Sequence, residues 1–444
     1  MTGLQLCWTR VILGSMKSPA FATFPPFVAP KLLYSKKRVS KKWAPAMLAF
    51  AASIIACIFP ATLVAEDWYR WRGPDLNGIS SETDWKAEWP SGKLPIAWTI
   101  DVGTGFSSVV VQDNRVYTLG HVDDHAVVYC VDASDGHVIW KHAYPASLDA
   151  RDFEGGPTTT PTIDGDRLYV LSRAGALFCF DNQSGEVRWQ KQIADVAEVR
   201  LPGWGFAAAP LVVGDKLVLT LGESGAVVNK HNGDLIWSSP DRECGYASPV
   251  PIHETHTVVF PSGRSFTGVD LETGQPQWSL RWLTSFGCNA ADPIIHDGKM
   301  FLCSGYNRGA ALFQLTDDEP ELIWKNKNML NQLHGSLLYD GHLYGIDGDM
   351  EAGARLTCLS WETGEVVWSE DELKPGGLSL ADGKLIVLTE VGELVLAPAT
   401  PNGFHEISRA KVLDGKCWTV PVLSSGRVFC RSIQGQVACV DLRD

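Results

Sequence analysis

Short segments of this sequence that end just before apolar strand patterns carry side chains suited to holding a ligand. They combine aromatic rings with amide, imidazole and cationic groups, a mixture typical of concave pockets that orient a ligand by a few polar contacts. The six side chains selected from five such segments are Arg151, Trp204, Asn289, Asn331, His334 and Trp418. The segments therefore predict a binding site if the fold brings them together. The alternative is that they only cap the structure and bind water.

Three clusters have the composition of metal sites, but none has the full spacing of a known one. The stretch from His253 to His256 reads His-Glu-Thr-His in a predicted turn, and its spacing is shorter than that of the helical zinc motif. The loop from Asp347 to Glu351 holds three carboxylates without the twelve-residue calcium pattern. His121 to His125 forms a similar loop. We expect all three to be solvated loops.

A repeated unit that ends in tryptophan separates the candidate segments at nearly regular intervals. Asp270 to Trp278 reads Asp-Leu-Glu-Thr-Gly-Gln-Pro-Gln-Trp, which predicts a strand end, a tight turn at glycine and a second strand. Related copies end at Trp140, Trp189, Trp237, Trp324 and Trp368. Successive tryptophans from Trp98 to Trp368 are 41 to 49 residues apart, close to the period of a four-stranded propeller blade.

The strand and turn patterns predict an all-β fold, an eight-bladed β-propeller of four-stranded antiparallel blades. First strands are expected near Ser107, Thr159, Ala208, Ser248, Asp292, Gly335, Leu378 and Thr419. The seventh blade carries Phe404 or Ile407 in place of tryptophan. The last blade has only three strands of its own, so the strand of Trp98 should complete it and remove an open sheet edge. In such a ring the segments before the first strands meet at one channel mouth.

The first 65 residues have the composition of an export signal, with eight lysines and arginines and no acidic residue. We assign residues 1–65 to this signal, 66–94 to a strap over the body and 95–444 to the propeller domain. The leader is unusually long, so initiation at Met16 or later is an alternative. A retained membrane anchor, or lipidation at Cys57, are further alternatives.

Charge and cysteine content limit the partners and the covalent framework. Without residues 1–65 the chain has 30 basic and 51 acidic side chains, a net charge of −21, which disfavours nucleic acid and anionic lipid. Nine cysteines remain, an odd number that excludes a complete disulfide framework. Four of them occupy the same repeat position and are predicted to be buried packing residues: Cys130, Cys179, Cys358 and Cys439.

The units resemble the PQQ-binding-like β-propeller repeat family, whose blades carry the motif Ala-x-Asp-x-x-Thr-Gly-x-x-x-Trp. Asp270, Thr273, Gly274 and Trp278 match this motif closely. The resemblance covers about residues 95–443. It points to the eight-bladed branch that contains quinoprotein alcohol dehydrogenases and the scaffold lipoprotein of the outer-membrane protein assembly machine.

The resemblance implies a quinone cofactor and calcium if this chain is an enzyme. The dehydrogenases of the family use PQQ, a calcium ion, an aspartate base and a disulfide between adjacent cysteines. No two cysteines are adjacent here. If the quinone is bound, Arg151 and Lys416 are the expected partners of its carboxylates, and Asp152 or Glu154 are the expected calcium ligands, because calcium prefers hard oxygen ligands.

We therefore expect an exported, non-catalytic binding or scaffold protein of the periplasm or cell envelope, without a cofactor. A protein or glycan would bind at the channel mouth or the blade edges, with Trp204 and Trp418 contributing most of the affinity as exposed aromatic residues. The alternative is a PQQ-dependent alcohol or polyol dehydrogenase. We expect a monomer that does not bind nucleic acid and meets the membrane only through its N-terminal signal or anchor.

Overall fold

The computed structural model describes residues 66–89, 93–151, 153–240, 242–253 and 255–443. The expected export signal in residues 1–65 lies outside the described residues. The strands are, in chain order, β1 (Ile79–Ser80), β2 (Ile96–Asp101), β3 (Val110–Gln112), β4 (Arg115–Val122), β5 (His125–Asp132), β6 (Val138–Pro145), β7 (Thr162–Asp164), β8 (Arg167–Leu171), β9 (Ala176–Asp181), β10 (Val187–Gln192), β11 (Leu211–Val213), β12 (Lys216–Leu219), β13 (Ala226–Asn229), β14 (Leu235–Ser238), β15 (Val250–Pro251), β16 (Thr257–Pro261), β17 (Ser265–Asp270), β18 (Pro276–Arg281), β19 (Ile294–His296), β20 (Lys299–Ser304), β21 (Gly309–Gln314), β22 (Glu321–Asn326), β23 (Leu337–Tyr339), β24 (His342–Asp347), β25 (Arg355–Ser360), β26 (Val366–Glu370), β27 (Pro375–Ala381), β28 (Lys384–Thr389), β29 (Glu393–Pro398), β30 (Ser408–Lys411), β31 (Val422–Ser424), β32 (Arg427–Arg431) and β33 (Gln436–Asp441).

These strands form eight antiparallel sheets, which are the blades of a propeller. Seven blades use four consecutive strands each, from β3–β6 for blade 1 to β27–β30 for blade 7. Blade 8 has the order β2-β33-β32-β31, and Trp98 of β2 pairs with Cys439 of β33. The predicted fold class and the closure by the strand of Trp98 are both confirmed. The helical content of the described residues is one short helix, α1 (Ile193–Val196), and a 3-10 turn at Ser285–Gly287; no helix among them is long and apolar enough to cross a membrane.

The repeated turn motif forms because its aspartate organises the backbone that follows. A carboxylate oxygen of Asp270 accepts hydrogen bonds from the N–H groups of Glu272 and Thr273, at 3.1 and 2.8 Å, and from the Thr273 hydroxyl at 2.8 Å. Gly274 then adopts a φ of +71°, a value that residues with a Cβ rarely adopt. The motif therefore reverses the chain between the third and fourth strands of a blade.

Tryptophans of this motif connect six of the eight blades to the next one by hydrogen bonds between described residues. The indole Nε1 of Trp140 in blade 1 donates to the Asn182 carbonyl in blade 2 at 3.0 Å. Equivalent bonds join Trp98 to Ala133, Trp189 to Lys230, Trp237 to Leu271, Trp324 to Trp361 and Trp368 to Thr400. The cysteines of the same repeat, among them Cys130 and Cys179, are fully buried, as predicted for packing residues.

The described part of the strap, residues 66–89, runs along the inner strands of the ring. The Trp68 carbonyl accepts from the Val111 N–H of blade 1 at 2.9 Å, and the Tyr69 carbonyl accepts from Ile163 of blade 2 at 2.8 Å. Further along, β1 pairs in parallel with β27 of blade 7. Glu82 then accepts hydrogen bonds from backbone N–H groups of the β31–β32 turn in blade 8. The segment therefore makes a circuit inside the channel.

Candidate functional site

A cavity of about 370 Å³ lies where the segments before the first strands meet, and its lining is largely aromatic. Its size is within the range of small-ligand pockets. Six of the rings that line it are Trp71, Phe153, Trp204, Tyr246, Tyr306 and Trp418. They come from the strap, from four segments between blades and from one connection within a blade, so only the closed ring assembles the cavity.

Trp71 of the strap and Asp292 of blade 5 form one wall of the cavity. The Trp71 Nε1 donates to Asp292 Oδ2 at 2.6 Å, and the Ser248 N–H donates to Asp292 Oδ1 at 2.7 Å. The guanidinium Nε of Arg72 lies 3.9 Å from the same carboxylate. Burial raises the pKa of Asp292, and Arg72, Trp71 and Ser248 oppose this shift. The wall is therefore a hydrogen-bonded, charge-balanced junction between strap and blade.

His334 lines the cavity as a neutral imidazole. Its Nε2 lies 2.9 Å from the Trp418 carbonyl oxygen, and its ring centroid is 6.4 Å from that of Trp71. Burial lowers the pKa of His334 to about 4, and the nearby Arg72 acts in the same direction. At neutral pH the Nε2–H donates to the carbonyl, so His334 positions Trp418 and adds no charge to the cavity.

A chain of aromatic rings leads from the cavity to the surface. The ring of Trp204 lies 5.6 Å from Tyr246 and 6.1 Å from Phe286, and Phe286 lies 5.9 Å from Tyr306. Phe286 is 72% exposed and has a φ of +60°, which is a strained conformation for a bulky residue. Such outliers persist where the surroundings hold them, and this one presents a phenyl ring to solvent.

Three of the selected side chains meet at the cavity, namely Trp204, His334 and Trp418. Trp418 is only 6% exposed, so the expectation that it is an exposed aromatic residue is wrong. It is covered because it packs in a core cluster with Leu378 and Ile433, and because Lys416 Nζ lies 4.1 Å from its ring centroid. Trp204 is half-buried.

The structure does not bring Asn289 and Asn331 into the cavity. The Asn289 Nδ2 donates to the carbonyls of Ser262 and Trp282 at 2.8 and 3.1 Å. The Asn331 Nδ2 donates to the Ile346 carbonyl at 2.9 Å, and its Oδ1 accepts from the Ser336 hydroxyl. Both amides are fully buried and attach their segments to the blades.

The charged residues selected for a quinone and calcium are paired with each other or with neighbours. Arg151 is exposed and bonds Asp149 at 2.6 Å. Lys416 Nζ lies 2.8 Å from Glu154 Oε1. Asp152 lies outside the described residues. The roles of these residues as ligands stay predictions.

The lining of the cavity does not fit PQQ. Two acidic side chains without a described lysine or arginine partner line it, Asp349 and Glu351, whereas the cations proposed for the quinone carboxylates, Arg151 and Lys416, do not. A tricarboxylate would therefore meet like charges and no free cation among the described lining residues.

The carboxylates of the predicted acidic loop separate into two environments. Asp347 is buried, accepts from the Leu330 N–H at 2.8 Å and pairs with Arg355 at 2.9 Å. Asp349 and Glu351 are exposed at the cavity. The Asp347 carboxylate therefore has a structural role. In the zinc-like stretch, Glu254 lies outside the described residues.

Sequence reasoning missed several residues of the cavity. Tyr306 lies between β20 and β21, and Asp349 and Glu351 lie between β24 and β25. Connections between the second and third strands of a blade reach the same face as the segments between blades, because successive strands alternate in direction. That rule would have found them. Trp71 had no such signal, because the strap is not part of the repeat.

The similarity of this chain to known proteins extends over most of the propeller. The family model described as outer membrane protein assembly factor BamB matches residues 80–192 and 124–370. The outer membrane protein assembly factor BamB of Yersinia pestis is 22% identical over 370 residues, which cover 77% of this chain and 87% of that protein.

Solved structures show the same fold at low identity. The crystal structure of BamB from Moraxella catarrhalis aligns with a TM-score of 0.59 and 17% identity, over 79% of this chain and all of that one. The quinohemoprotein alcohol dehydrogenase of Comamonas testosteroni aligns with a TM-score of 0.61 and 14% identity, over 85% of this chain and 81% of that one. An outer membrane protein assembly factor and an alcohol dehydrogenase share this fold, so the fold alone does not decide the function.

Proposed function

This chain belongs to the family described as outer membrane protein assembly factor BamB, and from this premise we propose that it is an exported, non-catalytic scaffold that binds a protein partner in the cell envelope. The finer proposal is that it acts in outer-membrane protein assembly, as the names of its relatives indicate. It does so without a cofactor. Residues 1–65 direct export, 66–94 form the strap, and 95–444 form the propeller that binds the partner.

The observation that carries this proposal is an exposed apolar patch at the channel mouth. The Phe286 patch consists of Trp204, Leu283 and Phe286, which line one surface depression. Phe286 is 72% and Leu283 43% exposed. Clustered aromatic and aliphatic side chains of this kind are typical of protein interfaces, where such anchors provide most of the binding energy.

The chemistry of the cavity supports a scaffold better than a dehydrogenase. Its carboxylates would repel a tricarboxylate cofactor, and the cations proposed to hold that cofactor are already paired with Asp149 and Glu154. The apolar patch, by contrast, has the composition that a protein partner requires. We therefore place the function at the surface of the channel mouth.

The test is genetic complementation in the organism of origin. The gene is deleted, and the levels of outer-membrane β-barrel proteins are measured after complementation with the wild type or with Leu283→Glu/Phe286→Glu. We expect the double variant to fold with an unchanged melting temperature but to lose copurification with the assembly machine and to restore little β-barrel protein.

The matched control is Val187→Glu/Ile236→Glu, which places the same charges on exposed apolar residues of the outer strands β10 and β14, 40% and 47% exposed. It should complement fully. Full complementation by the Phe286 patch variant would refute the proposed surface, and wild-type β-barrel levels in the deletion strain would refute the proposed function.

A further inference from the structure

We infer that the central cavity binds an organic cation, an ammonium or guanidinium group carried on an apolar body. This site goes beyond the proposed function and does not depend on it. The apolar body would fill the aromatic chamber, and the cationic group would lie at the rim between the carboxylates of Asp349 and Glu351.

Several hydroxyl groups inside the chamber are already hydrogen-bonded within the protein. The Thr160 hydroxyl accepts from the Ser108 N–H at 3.1 Å, and the Ser248 hydroxyl accepts from the Ala209 N–H at 3.0 Å. Thr158 donates to the Phe206 carbonyl at 2.9 Å. A sugar needs many uncommitted hydrogen-bonding groups, so this chamber suits an apolar body instead.

The rim carries negative charge that the described chain leaves without a cation. Asp349 Oδ1 accepts only the backbone N–H groups of Glu351 and Ala352, at 2.9 and 3.4 Å. Neither Asp349 nor Glu351 has a lysine or arginine within 4 Å in the described ranges. Both are exposed and border the cavity, so they are accessible to a ligand cation.

The chamber itself favours positive over negative charge. The aromatic faces of Trp71, Trp204 and Tyr306 attract cations through their ring quadrupoles. His334 stays neutral at physiological pH, and the Asp292 charge is balanced by Arg72. The rim carboxylates therefore attract an ammonium or guanidinium group and repel a carboxylate.

The test compares three ligands of similar size and different charge by calorimetric titration and by tryptophan fluorescence. They are 2-phenylethylammonium, 2-phenylethanol and 3-phenylpropanoate. We expect the cation to bind at least about tenfold more tightly than the alcohol, and the anion to bind more weakly than both. Equal affinities for the three ligands, or no binding of the cation at about 10 mM, would overturn the inference.

Variants then locate the cation. Asp349→Asn/Glu351→Gln should lower the affinity for the ammonium ligand by about tenfold and leave the alcohol unchanged. The control Asp317→Asn/Asp318→Asn removes two exposed charges from the β21–β22 turn at the opposite end of a blade, and should change neither. Unchanged ammonium binding in the rim variant would also overturn the inference.

A final comparison separates a free amine from a basic side chain of a polypeptide. Acetyl-Phe-Arg-amide is titrated beside acetyl-Phe-Gln-amide. Tight binding of the arginine peptide with weak binding of 2-phenylethylammonium would assign the cavity to an arginine side chain. The reverse result would assign it to a small amine. In both cases the affinity must fall in the rim variant.

Discussion

The indole Nε1 of Trp98 donates to the carbonyl oxygen of Ala133 at 2.9 Å and so links blade 8 to blade 1. Trp98 lies on β2, which pairs with β33, while Ala133 follows β5. The same indole ring packs against Gly136 of the following turn. The Trp98 side chain therefore holds blades 8 and 1 together at the junction where the ring closes.

Replacing Trp98 should destabilise the protein strongly. Trp98 is 8% exposed, and the cavity left by Trp98→Ala lies between two sheets that cannot collapse onto each other. We expect a loss of about 3–5 kcal/mol in the free energy of unfolding, measured by denaturant melts. The control is Trp204→Ala, which removes a half-buried ring from the cavity and should cost less than about 2 kcal/mol. Equal losses would contradict this assignment.

Glycine at the repeated turn is required by its contact as well as by its φ. A Cβ added to Gly136 would lie 2.8 Å from the Trp98 ring, and its φ is +79°. Gly165 also has a positive φ, of +59°, but no atom within 4 Å of the added Cβ. Gly165→Ala should cost about 1 kcal/mol for the backbone alone. Gly136→Ala should cost at least about 1 kcal/mol more, and similar values in thermal melts would contradict the ring contact.

The strap depends on the buried pair of Arg72 and Asp292. Arg72 also donates to the carbonyls of Gly335 and Ser336, so its removal leaves buried acceptors and an uncompensated carboxylate. We expect Arg72→Met to cost about 3–5 kcal/mol in denaturant melts. The double variant Arg72→Met/Asp292→Asn should cost less than the sum of the single variants. Additive costs would show that the two groups do not interact.

Stability should fall in mild acid because of His334. Its folded pKa of about 4 is below its ordinary value of 6.5, so the unfolded chain takes up a proton that the folded protein does not. Its contribution is complete above pH 6.5, falls as the pH decreases toward 4, and amounts to at most about 3 kcal/mol. His334→Gln keeps a donor for the Trp418 carbonyl and does not titrate. The variant should lose less stability than the wild type between pH 7 and pH 5, and identical losses would contradict the shift.

The thiols should be unreactive in the folded protein. All nine cysteines of the described residues are buried and unpaired, and burial raises the pKa of Cys288, which lines the cavity, to about 11. A protein that begins at Glu66 should react with less than about one equivalent of a thiol reagent at pH 8 when native, and with all nine thiols when unfolded. Rapid reaction of several thiols in the native protein would contradict the packing.

The repeat was predictable because its signals are local. Asp270 and Gly274 act within a few residues of each other, and the motif also fixes the position of the tryptophan at its end, so the local sequence predicts the turn and the strand that follows it. The motif does not predict which side chain of a segment points into the channel. In the segment from Asn331 to His334, Asn331 faces Ile346 and Ser336, whereas His334 faces Trp418.

The composition of the cavity was less predictable because it depends on parts outside the repeat. Trp71 reaches the cavity since Arg72 and Trp68 fix the strap against blades that are distant in sequence. Trp418 has the residue type of an exposed anchor, but Lys416 and the core residues Leu378 and Ile433 cover it. Neither arrangement follows from periodicity, since both arise from contacts that exist only in the closed ring.

Because β2 pairs with β33, β2 stays unpaired during synthesis until the ribosome has made β33. About 335 residues separate the end of β2 from the start of β33. At roughly 5–20 residues per second, the ribosome needs about 20–70 seconds to make them. Throughout this interval the strand of Trp98 has no partner and is an open edge. Ring closure is therefore a late step in the life of each new chain, and blade 8 is where a nascent chain most needs protection from aggregation.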